Sequence, residues 1–179
     1  MVKNITLSFL LVLTLNAWGQ DRLVQNPVTP EHLEEIKKDV WTPFMESYRE
    51  LDAEKLQSIH TADIVRVEVD NGIIEAGDKY LGNLERFFTY VEERERQMDI
   101  SFTIMTTSIG EGIGYQTGYF RVRSKDKTED EYTPRGFGFF NVLLKKQEGK
   151  WKIAMDSDKP ATITNEEFQS SEVLYTLDS

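Results

Sequence analysis

The chain of 179 residues contains no cysteine and only two histidines. The first absence excludes disulfides, thiol catalysis, haem thiolate ligation and iron–sulfur clusters. The second leaves too few ligands for a structural zinc site. Basic residues are scarce as well, 21 Lys+Arg against 31 Asp+Glu, for a formal charge of −10. That balance argues against broad electrostatic binding to nucleic acid or to an anionic membrane. There is no Gly-x-Ser-x-Gly elbow and no phosphate-cradling glycine loop. Apolar residues are not scarce: 39% of the chain is hydrophobic and 11% aromatic, enough for the core of one domain rather than a disordered chain.

Long hydrophobic runs are missing except at the start. Lys3 is followed by the apolar stretch Ile5–Leu15, and then by the small residues Ala17 and Gly19 ahead of Gln20. This is the three-part pattern of a secretory signal peptide over residues 1–19, with Ala17 and Gly19 at the −3 and −1 positions. The run falls short of the roughly 20 apolar residues that a membrane span needs. The expectation is a bacterial periplasmic or secreted protein. A cysteine-free exported domain fits that setting, because a domain with a sufficient core needs no disulfides.

Residues 20–29 read as a flexible lead-in. Thr29-Pro30 is a helix start, with a capping hydroxyl before a proline at the first helical position. Leu33, Ile36, Val40, Phe44, Tyr48 and Leu51 then recur at helical spacing over about 20 residues. Pro43 inside that run either kinks the helix or starts a second one capped by Thr42. Asp52 caps a short helix carrying Leu56, Ile59 and His60. Val65, Val67 and Val69 alternate as in a strand, Asp70-Asn71-Gly72 is a hairpin turn, and Ile73-Ile74 begin the return. A further helix follows Gly77-Asp78, with Tyr80, Leu84, Phe87, Phe88 and Val91 as its apolar positions, ending in the solvated run Glu92–Arg96.

The second half reads as four long strands. Met98, Ile100, Phe102 and Ile104 alternate, and the face switches toward Met105 and Ile109, which implies a bulge. Tyr115, Thr117, Tyr119 and Arg121 share a face of the next strand. Thr133–Lys146 is the third, softened by Gly136 and Gly138. Glu148-Gly149 is a tight turn into a strand carrying Trp151, Ile153 and Met155. Residues 161–179 read as a polar tail with a brief helix near Phe168, leaving 30–160 as the domain. Helices first and strands after is an α+β plan, with helices covering one face of an antiparallel sheet.

Five segments in this order resemble the NTF2-like superfamily, in particular its SnoaL-like or DUF4440-type bacterial members. They are Val40-Trp41-Thr42-Pro43-Phe44 to Tyr48, Leu51-Asp52-Ala53-Glu54-Lys55-Leu56, Val65-Arg66-Val67 to Asn71-Gly72, Gly77-Asp78-Lys79-Tyr80, and Gly149-Lys150-Trp151-Lys152-Ile153. The resemblance covers about residues 31–159. It implies a cystatin-like cone, in which three N-terminal helices close a strongly curved antiparallel sheet around a cavity, and a homodimer formed through the outer face of the sheet. Family members include isomerases, dehydratases, cyclases and binding proteins without catalysis, so the fold alone does not name an activity.

A cone of this kind turns alternating strand residues toward a small-molecule site. The expected ligand-binding residues are Phe44, Arg66, Val67, Phe88, Phe102, Tyr115, Tyr119, Phe137, Phe139, Asn141, Met155 and Asp158, although each aromatic among them could equally be core packing. Arg66, in the middle of a strand, either reaches solvent or pairs with a carboxylate, and Asp156 and Asp158 share a face of the last strand. Two carboxylates alone are a poor calcium site, so neither metal nor cofactor is expected. The catalytic candidates are Asp156, His60 and Tyr48. In the ketosteroid-isomerase branch the basic Asp stands near the end of the first strand. Here that place falls on Val69, beside Glu68, so the base is missing or moved. Scytalone-dehydratase-like members use a histidine pair, and His32 and His60 are both expected on helices. The expected partners are a small ligand and a second copy of the chain, with no nucleic acid and, after cleavage of the leader, no membrane.

Overall fold

A computed structural model describes residues 27–177, so the leader expected at 1–19 lies outside the described residues. Thr29 opens helix α1 (Pro30–Ile36). Its hydroxyl accepts from the His32 backbone N–H while His32 Nδ1 accepts from the Thr29 N–H, both at 3.3 Å. A single π-helical turn, Lys37–Trp41, joins α1 to α2 (Thr42–Glu50). Within it the Thr42 N–H reaches back to the Lys37 carbonyl. Proline at 43 has no N–H and would press on the carbonyl four residues earlier, and the wider turn relieves both problems. The helix is therefore neither broken nor capped by Thr42. Asp52 does cap α3 (Ala53–Ser58), accepting from the Lys55 N–H at 2.9 Å.

His60 does not belong to that helix. It opens strand β1 (His60–Glu68), which turns into β2 (Ile73–Ala76) and then α4 (Gly77–Glu93). Four long strands follow: β3 (Arg96–Ile109), β4 (Ile113–Asp126), β5 (Thr133–Gln147) and β6 (Lys150–Ala161). Glu148 and Gly149 both take positive φ, 52° and 80°, the geometry of a two-residue hairpin loop that follows the twist of its strands. The seven-stranded sheet runs β2-β1-β6-β5-β4-β3-β7, where β7 is Leu174–Tyr175. All its ladders are antiparallel except β1 with β6, which is parallel and sets Arg66 beside Asp156 and Glu68 beside Asp158.

The register slips between Ile104 and Thr106, Val122 and Arg123, and Leu143 and Leu144. Such bulges bend a strand and raise its twist. The slip in β3 is the bulge implied by the change of face at Met105. The helices cover the concave side, where Ile36, Val40, Trp41, Met45, Leu56, Ile64, Leu144 and Ile153 are almost wholly buried. The segment after residue 160 is more than a polar tail: it adds α5 (Asn165–Gln169) and β7 to the body. Phe168 is fully buried, its ring 5.6 Å from Phe137 and 5.0 Å from the Arg121 guanidinium. No helix among the described residues is long and apolar enough to cross a membrane.

Candidate functional site

Between the helices and the sheet lies a cavity of about 370 Å³. Its inner wall is aromatic. The π-helical turn delivers the Trp41 ring into the centre, 4.6 Å from Phe102, 5.2 Å from Phe140 and 6.3 Å from Phe44. The indole N–H donates to the Gln116 side-chain oxygen at 2.8 Å, and the Gln116 amide donates to Thr107 Oγ1 at 3.0 Å. Gln116 is fully buried, so this relay satisfies polar groups that would otherwise be costly and fixes the ring's orientation. Phe44 stacks on Tyr48 at 5.5 Å, continuing the wall along α2. Phe120 completes it because position 138 is glycine. A Cβ there would stand 2.1 Å from the Phe120 ring, so only the bare backbone lets the ring lie across β5.

The polar groups gather at one end. Arg66 projects inward from β1 and Asp156 and Asp158 from the adjacent β6. Arg66 Nη1 donates to Asp156 Oδ2 at 3.0 Å and Nη2 to Asp158 Oδ2 at 2.6 Å. The three side chains are 14%, 13% and 22% exposed. Burial outweighs the arginine's attraction and, helped by the Asp158 charge, pushes the Asp156 carboxyl up to about 6. Burial likewise pushes the Tyr48 phenol up to about 12 and the Tyr80 phenol well above its ordinary value. A carboxyl that changes charge near neutrality in an apolar cleft has the property a general acid or base requires.

Of the expected residues, Phe44, Tyr48, Arg66, Phe102, Asp156 and Asp158 all line this cavity. Phe88 does not. It is buried beneath the wall, perpendicular to Tyr48 at 5.2 Å. His60 does not line it either. Its Nδ1 lies 2.7 Å from the Leu56 carbonyl, and its ring packs edge-on against Tyr80 and Phe44. Burial holds its pKa down to about 4, so the ring is a neutral packing group.

Val67, Tyr115, Tyr119, Phe139, Asn141 and Met155 belong to the opposite face. Successive strand residues point to opposite sides, and Arg66, Gln116, Phe120, Phe140, Val142 and Asp156 take the inward positions. The outward assignment is visible in contacts: the Tyr115 hydroxyl donates to Asn141 Oδ1 at 2.9 Å and Tyr119 meets Phe139 at 5.4 Å. Phe137 borders a shallower outer pocket of about 460 Å³ at the cavity mouth.

Sequence reasoning missed Trp41, Tyr80, Phe120, Phe140 and Glu68 as lining groups. Glu68 is notable among them. It is the inward residue at the end of β1, where Val69 is 50% exposed, and it accepts from Asn71 Nδ2 at 2.9 Å. Among the described residues no cluster of His, Asp or Glu is arranged to hold a metal ion.

Neither a family model nor a curated protein matches the sequence. Solved structures do resemble it. Aln2 from a Streptomyces species superposes with a TM-score of 0.63 at 14% identity, over 75% of this chain and 94% of its own. A ketosteroid isomerase-like protein from Erwinia carotovora atroseptica gives 0.54 at 16% identity, over 75% and 100%. An NTF2-like protein with a cystatin-like fold from Novosphingobium aromaticivorans gives 0.57 at 11% identity, over 76% and 86%. At such identities the likeness concerns the fold.

Proposed function

Taking the NTF2-like, cystatin-like fold as the frame, we propose that this protein binds a small, largely apolar molecule in its conical cavity. One observation carries the reading: an aromatic-walled space of about 370 Å³ with its charged groups collected at one end. That is the design of a small-molecule site, with an apolar body for affinity and a few polar groups for orientation. The test is native mass spectrometry of the protein purified from its own source, together with Nile red titration followed by Trp41 quenching. A retained small mass, or saturable binding that Leu84→Trp abolishes by filling the cavity, supports the reading. No adduct and no Nile red binding refute it.

A second reading is favoured by the raised pKa of Asp156. In an isomerase or dehydratase, its carboxylate would take a proton from the carbon beside a carbonyl. The released electron pair would pass to the carbonyl oxygen, which the Tyr48 or Tyr80 hydroxyl stabilises. The proton would then go to a different carbon in an isomerase, or to a β-hydroxyl that departs as water, its C–O bond broken by the returning electron pair, in a dehydratase. Incorporation of solvent deuterium into a bound cyclic enone, lost in Asp156→Asn, would establish it. Unlabelled enone with the wild-type protein would dismiss it.

We also propose that two copies pair through the outer face of the sheet. Val65, Val67, Tyr119, Phe139, Leu143 and Met155 form a half-buried apolar surface there. Sedimentation should give a dimer, and Phe139→Glu a monomer. The leader pattern at the start of the sequence supports export, which cell fractionation would check.

A further inference from the structure

We propose that the ligand carries a cationic amine at one end of its apolar body, and that the amine seats against Asp156 and Asp158. This rests on the binding reading above and narrows it to a chemical class. Eight of the eighteen residues lining the cavity are aromatic, four are carboxylates and one, Arg66, is cationic. Two of the carboxylates are already engaged elsewhere. Glu75 pairs with Lys79 at 3.0 Å and accepts from Asn83, and Glu68 accepts from Asn71. The remaining two share one arginine. Both of its contacts are to Oδ2 atoms, so each aspartate keeps its Oδ1 without a hydrogen bond among the described residues.

One cation against two carboxylates leaves a negative charge in a half-buried place, and a charge so placed is costly until a counter-charge joins it. Burial, with the Asp158 charge adding to it against the pull of Arg66, already drives Asp156 toward protonation. An independent feature stands beside it. Tyr80 lines the same cavity, is only 8% exposed, and its hydroxyl makes no hydrogen bond among the described residues. The ring is buried while its hydroxyl oxygen opens on the cavity, where it can meet a ligand N–H. An ammonium N–H aimed at the aspartates has this oxygen as a further acceptor, and the faces of the surrounding rings attract a cation as well.

An anionic group fits less well. Inside the cavity it meets two aspartates and an arginine they already occupy. In the outer pocket Arg135 and Lys159 stand with Arg66, but Glu68, Asp70 and Asp158 balance them. Arg135 is held there by Nε donating to Ser124 Oγ at 2.6 Å. A neutral ligand would leave the excess negative charge as it was.

The experiment compares three probes on one skeleton: a naphthylmethylamine, naphthalenemethanol and naphthoic acid, titrated calorimetrically at pH 8 into the full-length protein. The amine is expected to bind at least about tenfold more tightly than the alcohol, and the acid most weakly. In Asp158→Asn and in Asp156→Asn the ratio of amine to alcohol affinity should shrink to about twofold or less. Circular dichroism and a cooperative thermal transition certify that the variants are folded. Equal affinity for amine and alcohol, tighter binding of the acid, or a preference that survives both variants overturns this inference and leaves the binding reading standing. Failure of all three probes and of Nile red overturns both.

Discussion

Asp156 and His60 make opposite demands on pH, and the conflict gives the sharpest test of the site's electrostatics. Consider acidification from pH 7 to 4. His60 titrates near 4 in the folded protein, against 6.5 for an unperturbed histidine. Its contribution to stability is complete above 6.5 and is lost as the pH falls toward 4, because the unfolded chain takes up the proton first. Asp156 titrates near 6 in the folded protein against 3.8 unperturbed. Its contribution is complete below 3.8 and is lost as the pH rises through 6. Each pH unit between folded and unfolded values is worth about 1.4 kcal/mol. The histidine therefore costs about 3 kcal/mol on acidification, and the aspartate returns about 3 kcal/mol. Both side chains are well shielded, His60 at 3% and Asp156 at 13% exposure, so solvent screening takes little from either figure. In the wild type the two nearly cancel over this window. Asp156→Asn removes only the compensating half. Urea unfolding at pH 7, 6, 5 and 4 should then show the variant losing about 3 kcal/mol more than the wild type between the ends of the series. His60→Gln should show the reverse, becoming more stable on acidification relative to wild type. Parallel profiles for wild type and Asp156→Asn would mean that Asp156 is an ordinary ionised carboxylate, and both catalytic use and the charge argument for an amine ligand would lose their support.

Gly138→Ala should cost about 1–3 kcal/mol in thermal unfolding and weaken Nile red binding, since the new methyl displaces the Phe120 ring from the wall. Gly136→Ala, where a Cβ meets nothing within 4 Å, should stay within about 0.5 kcal/mol of wild type, and equal effects at the two positions would refute the close-approach explanation. Asp99 is fully buried and accepts from Arg49 at 2.9 Å and from Arg123 at 2.6 and 2.9 Å. Asp99→Ala should cost about 2–3 kcal/mol in urea unfolding, below the full price of a broken buried pair because Arg49 is 35% exposed and can turn to water. Phe168→Ala removes the side chain that anchors α5 against Arg121 and Phe137. It should cost about 3–5 kcal/mol locally and open the chain to limited proteolysis after residue 161, which mass spectrometry of the fragments would show.

The fold was legible because its elements are periodic at the scale of local forces. Leu33 through Tyr48 keep helical spacing across the π turn, which shifts the phase by one residue and leaves the same stripe facing the sheet. Met98 through Ile104 alternate without ambiguity, since Ser101 and Thr103 mark the other side. What the alternation could not supply was the parallel pairing of β1 with β6, a contact across some 90 residues that no local pattern encodes.

The site was only half legible for a different reason. Strands β4 and β5 are apolar on both faces. Phe120, Phe140 and Val142 point inward, while Tyr119, Phe137 and Phe139 point outward, and period two cannot distinguish two apolar sides. In β1 the usual rule misleads, because the valines look outward and the arginine looks in. Charge held the better signal there. An arginine between valines in a strand needs a carboxylate of comparable depth, and Asp156 and Asp158 lie two residues apart on one face of the last strand. Pairing them fixes Arg66, Asp156 and Asp158 as one face. The register between β5 and β6 then carries that parity to Val142 opposite Asp156 and to Phe140 opposite Asp158. From there it passes across β4 through Phe140 opposite Gly118 and Gly138 opposite Phe120. Each step turns an apolar strand with two equivalent faces into one with an inside. In a sheet whose outer surface is itself apolar, the buried charges orient the wall and the hydrophobic residues follow them.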